Sequence, residues 1–177
     1  MATRIGKYKL SKEQIATSLV DGGTTEGPVV FNSNTNIKYT TPVLQTDAAE
    51  SLTVAANAGR TTIIPNVSAD RIYTLPQVSE GLHLHLVGFG ALAADGHDVT
   101  IVTETANTEF FHGAVTHHDT DQTGQTTSVV WGNGSSNDTI KLDLVEGFDL
   151  HFLGKSSTVW YVWGWTAGAT VVTIADS

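Results

Sequence analysis

One nine-residue phrase occurs twice in this chain. Glu80-Gly81-Leu82-His83-Leu84-His85-Leu86-Val87-Gly88 returns as Glu146-Gly147-Phe148-Asp149-Leu150-His151-Phe152-Leu153-Gly154. The Glu, both glycines, the central Leu and the second His are identical. Three positions exchange one apolar residue for another, and only His83/Asp149 changes chemical character. Successive side chains of a strand point to opposite faces, so alternate apolar residues bounded by Gly describe a half-buried β-strand. Leu82, Leu84 and Leu86 form the expected core face of the first copy, and Phe148, Leu150 and Phe152 that of the second. The histidines fall on the opposite face.

The rest of the chain agrees with a β architecture. Thr occurs 26 times and Gly 17, while charged residues make up only 15%. β-Branched side chains suit a pleated surface and Gly suits turns. Strands are expected at 61–65, 71–75, 82–88, 98–104, 109–115, 126–132, 139–145, 148–153, 158–163 and 169–175, separated by Gly, Asn, Asp and Ser. Short strands at this spacing predict an antiparallel sandwich or barrel. The repeat reaches upstream, with Asp70-x-Ile72-x-x-Leu75 before the first copy and Asp138-x-Ile140-x-Leu142 before the second. Each copy is therefore expected to form a hairpin with its upstream strand. Two related hairpins fit a jelly roll built from two Greek keys. A solenoid, which needs at least three copies, is not expected.

Residues 1–60 read differently and are expected to form an extended N-terminal arm on a 61–177 sandwich. Ser11-Lys12-Glu13-Gln14 resembles a capping box and predicts one short helix over 12–20, stopped by Asp21-Gly22-Gly23. Residues 24–50 are rich in Thr, Asn, Gly and Pro, and 51–58 fit a short strand or a helical turn equally well.

The net charge of -9 argues against nucleic acid as a partner, because binding it requires clustered Lys and Arg. Charge is also unevenly placed. Arg4, Lys7, Lys9 and Lys12 lie in the first twelve residues with no acid among them, whereas the other 165 residues carry all 18 acids and five bases. A basic tail on an acidic body suits an arm that reaches for an acidic partner, or a solvated terminus. Without cysteine, neither disulfides nor thiol chemistry are available. The N-terminus has no secretory apolar core, and no apolar run is long enough to span a bilayer, so no membrane partner is expected.

Candidate chemistry is sparse. His83 and His85 share one strand face, as Asp149 and His151 do, and a His-x-His pair supplies two metal ligands in cupins. The nearby cupin Glu and the second cupin motif are missing, and metal sites need three or four converging ligands. His117-His118-Asp119-Thr120-Asp121 is the densest ligand cluster and is expected in a polar loop. No Gly-x-Ser-x-Gly elbow or phosphate loop occurs, so neither catalysis nor a cofactor is expected. Trp160 and Val162 should face one way along their strand, and Tyr161, Trp163 and Trp165 the other. Both faces are thus apolar, so the second needs a cover. Tyr161, Trp163, Trp165, His85 and His151 are the candidate residues for a subunit interface or a glycan platform.

Tyr73-Thr74-Leu75-Pro76 leading to Gly81-Leu82, the Val99-Thr100-Ile101 strand and the closing Val159-Trp160-Tyr161-Val162 strand resemble the small β-modules of tailed-phage virions. Such modules occur as capsid decoration (cement) proteins and in head or tail fibres. The resemblance covers about residues 61–165. It implies a homotrimeric sandwich without catalytic activity that binds the major capsid protein or the tail. The first expectation is a decoration protein of the virion, assembled in a bacterial cytoplasm, with Arg4, Lys7, Lys9 and Lys12 docking on the capsid. The alternative is a fibre or receptor-binding module that recognises host glycans.

Overall fold

A computed structural model describes residues 42–88, 97–121, 126–143 and 145–177, all within one compact unit, Thr40–Ser177. The expected helix over 12–20 and the basic residues Arg4, Lys7, Lys9 and Lys12 lie outside the described residues. Among the described residues, twelve strands and one helical turn follow in the order β1 (Val43–Leu44), β2 (Glu50–Ser51), α1 (Val54–Asn57), β3 (Thr61–Ile64), β4 (Arg71–Thr74), β5 (His83–Gly88), β6 (Asp98–Val102), β7 (Phe110–Asp119), β8 (Thr127–Asn133), β9 (Thr139–Asp143), β10 (Val145–Gly154), β11 (Val159–Gly168) and β12 (Thr173–Ala175). Each of the ten expected strands corresponds to one of β3–β12.

The fold is an all-β sandwich. A seven-stranded sheet in the order β1-β3-β5-β10-β11-β7-β8 packs on a five-stranded sheet in the order β12-β9-β6-β4-β2. Both sheets are mixed, which departs from the wholly antiparallel expectation, and the connectivity does not bear out a jelly roll. From β1 to β6 the chain passes alternately between the sheets, so β1, β3 and β5 pair in parallel in the large sheet. In the small sheet β2, β4 and β6 do the same. Parallel pairing needs a long crossover, and here each crossover is a strand of the opposite sheet. The first half is therefore a two-sheet coil of three turns, solenoid-like although its turns share no phrase. Antiparallel pairs β5/β10 and β6/β9 join this coil to the second half.

Two further expectations change. Residues 42–60, assigned to the arm, contribute an edge strand to each sheet. Thr53 caps α1, its hydroxyl accepting from the Ala56 amide at 3.2 Å. The copies of the phrase also do not form hairpins with their upstream strands. β4 and β9 lie in the small sheet while β5 and β10 lie in the large one, so each unit bridges the two layers. The upstream alignment fails in register as well: Ile140 is buried, whereas Ile72 is exposed and Tyr73 takes the core position. Alternation in a four-residue strand is too short to decide which face is in.

The core lies between the sheets. It contains both apolar faces of the repeat, together with Tyr73, Ile101, Phe111, Ile140, Trp160 and Val162. Trp160 is fully buried and is among the largest side chains in the core. Trp160→Ala should therefore cost about 3–5 kcal/mol of unfolding free energy in a denaturant titration. A loss below about 1 kcal/mol would mean that the ring does not fill the core.

The β1–β2 connection is pinned to β4 by charge. Asp47 accepts from Arg71 Nε at 2.7 Å and from the Ser68 hydroxyl at 2.6 Å. These bonds lower its pKa from 3.8 to about 2. The folded chain thus resists a proton that the unfolded chain accepts, so the stabilisation is present above pH 3.8 and is lost as pH falls toward about 2. Asp47→Asn should flatten the acid limb of the stability–pH curve over that window, and an unchanged limb would contradict this assignment.

Candidate functional site

The two copies of the phrase are neighbouring strands. β5 and β10 pair antiparallel with Leu84 opposite Phe152, His85 opposite His151 and Leu86 opposite Leu150. His85 and His151 occupy the same position in the phrase, so a local two-fold passes between them. The recurring glycines close both ends of this pairing. The Gly81 amide donates to the Gly154 carbonyl at 2.9 Å, and the Gly154 amide to the Leu82 carbonyl at 2.7 Å. A Cβ on Gly154 would lie 1.8 Å from the Ser79 carbonyl oxygen, so only glycine fits there. At the other end Gly88 faces Phe148, beside Gly147.

Alternation then decides what each face carries. Inward-facing positions fill the core, and the outward-facing ones form rows across the large sheet. The central row is Thr61, His85, His151, Trp163, Ala114 and Trp131. One flanking row contains His83, Leu153, Tyr161 and His112, and the other contains Asp149, Trp165, Thr116 and Val129. All five candidates, Tyr161, Trp163, Trp165, His85 and His151, therefore lie on one face.

Within that face the side chains organise diagonally. Asp149 Oδ1 lies 2.8 Å from His85 Nε2 and 3.3 Å from His151 Nε2. His83 Nε2 lies 3.3 Å from His151 Nδ1, and the Thr61 hydroxyl 3.1 Å from His85 Nδ1. The local two-fold makes His83–His151 and Asp149–His85 equivalent contacts, so the one dissimilar position of the phrase breaks the symmetry. One proton assignment keeps all three rings neutral. The Thr61 hydroxyl donates to His85 Nδ1, His85 Nε2–H to Asp149, and His83 Nε2–H to His151 Nδ1. Burial lowers the pKa of His83, helped by the like charge of His85. Burial also lowers that of His151, with His85 and His83 acting in the same sense and Asp149 against them.

The rings stand upright on the sheet. His85 and His151 stack with centroids 4.1 Å apart and planes at 5°, and Trp163 continues the stack at 5.0 Å and 7°. Rings packed face to face between neighbouring strands turn their edges outward. Tyr161 leans on Trp163 at 5.8 Å. Trp131 is 67% exposed and has no ring neighbour among the described residues. Sequence reasoning missed Trp131 because nothing in the β8 segment showed that it would lie in the same row as Trp163.

The other dense cluster disperses. β7 runs through Asp119, so His117 and His118 point to opposite faces, in contrast to the expected polar loop. His117 is buried and bonds the Thr166 hydroxyl at 2.9 Å. His118 lies on the outer face near the Thr127 hydroxyl at 3.4 Å. Among the described residues, no helix is long and apolar enough to cross a membrane. A scan against protein-family models found no match, and searches of curated proteins and of solved structures found none either.

The site depends on one backbone position in β11. Gly164 has φ +142°, and a Cβ there would lie 2.0 Å from the Asp149 carbonyl oxygen. Gly164→Ala should destabilise the fold by about 1–3 kcal/mol. It should also shift the imidazole resonances of His85 and His151 in NMR spectra, because it displaces β10 at Asp149. A variant with wild-type stability and unshifted imidazoles would contradict this packing.

Proposed function

We propose that the chain is a structural protein of a tailed-phage virion, a decoration protein that binds the outer surface of the head as a homotrimer. One observation carries the reading: a sandwich that buries an apolar core of its own also presents Trp131, Tyr161, Trp163, Trp165 and Leu153 on the outer face of its large sheet. A monomer rarely exposes so much contiguous apolar surface, and Trp and Tyr are favoured in the buried centres of interfaces. The upright stacking of Trp163 supports packing against protein, since one face of the ring is already taken by His151 and its edge is turned outward. The basic residues Arg4, Lys7, Lys9 and Lys12 supply a complementary charge for docking on acidic groups of the major capsid protein.

Light scattering tests the assembly. The wild type is expected at the mass of three chains, and Trp131→Asp at that of one chain with its circular dichroism unchanged. A monomeric wild type would overturn the trimer. Deleting residues 1–12 should abolish binding to assembled heads while leaving the trimer intact, and undiminished binding would overturn the docking role.

Trp131 supports a second reading, a fibre or receptor-binding module for host glycans, because its ring is open on the surface. Glycan binding that disappears in Trp131→Ala, without loss of head-free oligomerisation, would favour that reading.

A further inference from the structure

We propose that His85, Asp149 and His151 form a binding site for a divalent first-row transition-metal ion of the Zn2+ class. Neither half of the repeat holds enough ligands alone, because a strand face brings together only two side chains at i and i+2. Pairing of the two copies changes the count. One imidazole from β5, with a carboxylate and an imidazole from β10, places three ligand atoms within 4.8 Å of one another. Two imidazoles and a carboxylate match the donor set of open zinc sites, in which water completes a tetrahedron. In a single chain the side chains are 22–33% exposed, so an ion can reach them and the fourth position is open.

The surrounding contacts have the form of a supporting shell. On metal uptake the His85 proton would move from Nε2 to Nδ1, where Thr61 Oγ1 at 3.1 Å can accept the hydrogen bond, leaving the Nε2 lone pair free for the ion beside Asp149. Asp149 Oδ1 already bridges the two Nε2 atoms, at 2.8 and 3.3 Å, and marks where positive charge is wanted. No Lys or Arg contact to Asp149 competes among the described residues.

Binding has a structural consequence. The His85 and His151 planes are parallel to within 5°, so one ion cannot lie in both planes. The His151 ring must turn about its Cβ–Cγ bond, a soft torsion. That motion separates His151 from His83 and lifts it off the face of Trp163. Metal uptake should therefore be visible in the Trp163 emission.

Calorimetric titration of the untagged full-length chain with Zn2+, paired with tryptophan fluorescence, tests the site. We expect one ion per chain at this position and a change in emission that Trp163→Phe removes. Thr61→Val should weaken binding about 10-fold. Asp149→Asn and His85→Ala should each weaken it more than about 100-fold, beyond what outer partners contribute. His118→Ala, which alters the other histidine cluster, should leave binding and the emission change intact. Asp149→Asn is close to isosteric, and an unchanged thermal midpoint without metal would show that its effect is not misfolding. Absence of Zn2+ binding, or binding undiminished in Asp149→Asn and His85→Ala, would overturn the proposal. Binding abolished by His118→Ala would place the ion elsewhere and overturn it equally.

Discussion

The antiparallel pairing of β5 with β10 is the constraint on which the rest of the molecule depends. On one side lies a coil of parallel strands, on the other a half dominated by the long strands β7, β10 and β11, and in the large sheet this seam is their junction. The glycines that bound each copy of the phrase allow the strand ends to meet, Gly81 with Gly154 and Gly88 beside Gly147. A slip of one residue in either strand would turn its own core residues, Leu84 and Leu86 of β5 or Leu150 and Phe152 of β10, out to solvent and its histidine into the core. Core and surface are therefore fixed by a single register.

That register also explains how a repeated structural phrase generates a surface that neither copy contains. The inward residues are nearly the same in the two copies and merge into one apolar layer. The outward residues meet across the two-fold, where His83 and Asp149 differ, and a column of imidazoles forms next to the aromatic strand β11. Burial keeps His83 and His151 biased toward their uncharged forms, which lets the column pack without repulsion. The proposed roles in assembly and in metal binding draw on this one surface, the first on its tryptophans and the second on its histidines and Asp149.

Much of this was legible from alternation alone. The ten strands from β3 to β12, the core residues of both copies, and the division of Trp160 and Val162 from Tyr161, Trp163 and Trp165 follow from side-chain period and composition. Pairing was not legible, because alternation says which face a residue takes and not which strand lies beside it. Alternation thus suggests hairpins with the upstream strands, although β4 and β9 belong to the opposite sheet. The two-residue strands β1 and β2 are too short to show a period, so the coil was hidden in a segment read as an arm. His117-His118-Asp119 reads as a loop because it is polar, yet β7 continues through it, with His117 bonded through Nδ1 to Thr166 inside the sandwich. The metal-ligand triad was divided between two pairs in sequence, and only the register of β5 on β10 assembles it.

Because the chain has no cysteine, the register can be tested by introducing two. Directly opposed residues of antiparallel strands have Cα atoms about 4.5–5.5 Å apart, within the span a disulfide bridges. A chain carrying both His85→Cys and His151→Cys should oxidise to an intramolecular disulfide in high yield under mild conditions. Its far-ultraviolet circular dichroism should stay that of the reduced form. Free thiols that persist, or cross-links formed only between chains, would show that the two copies of the phrase are not partners and would contradict the account.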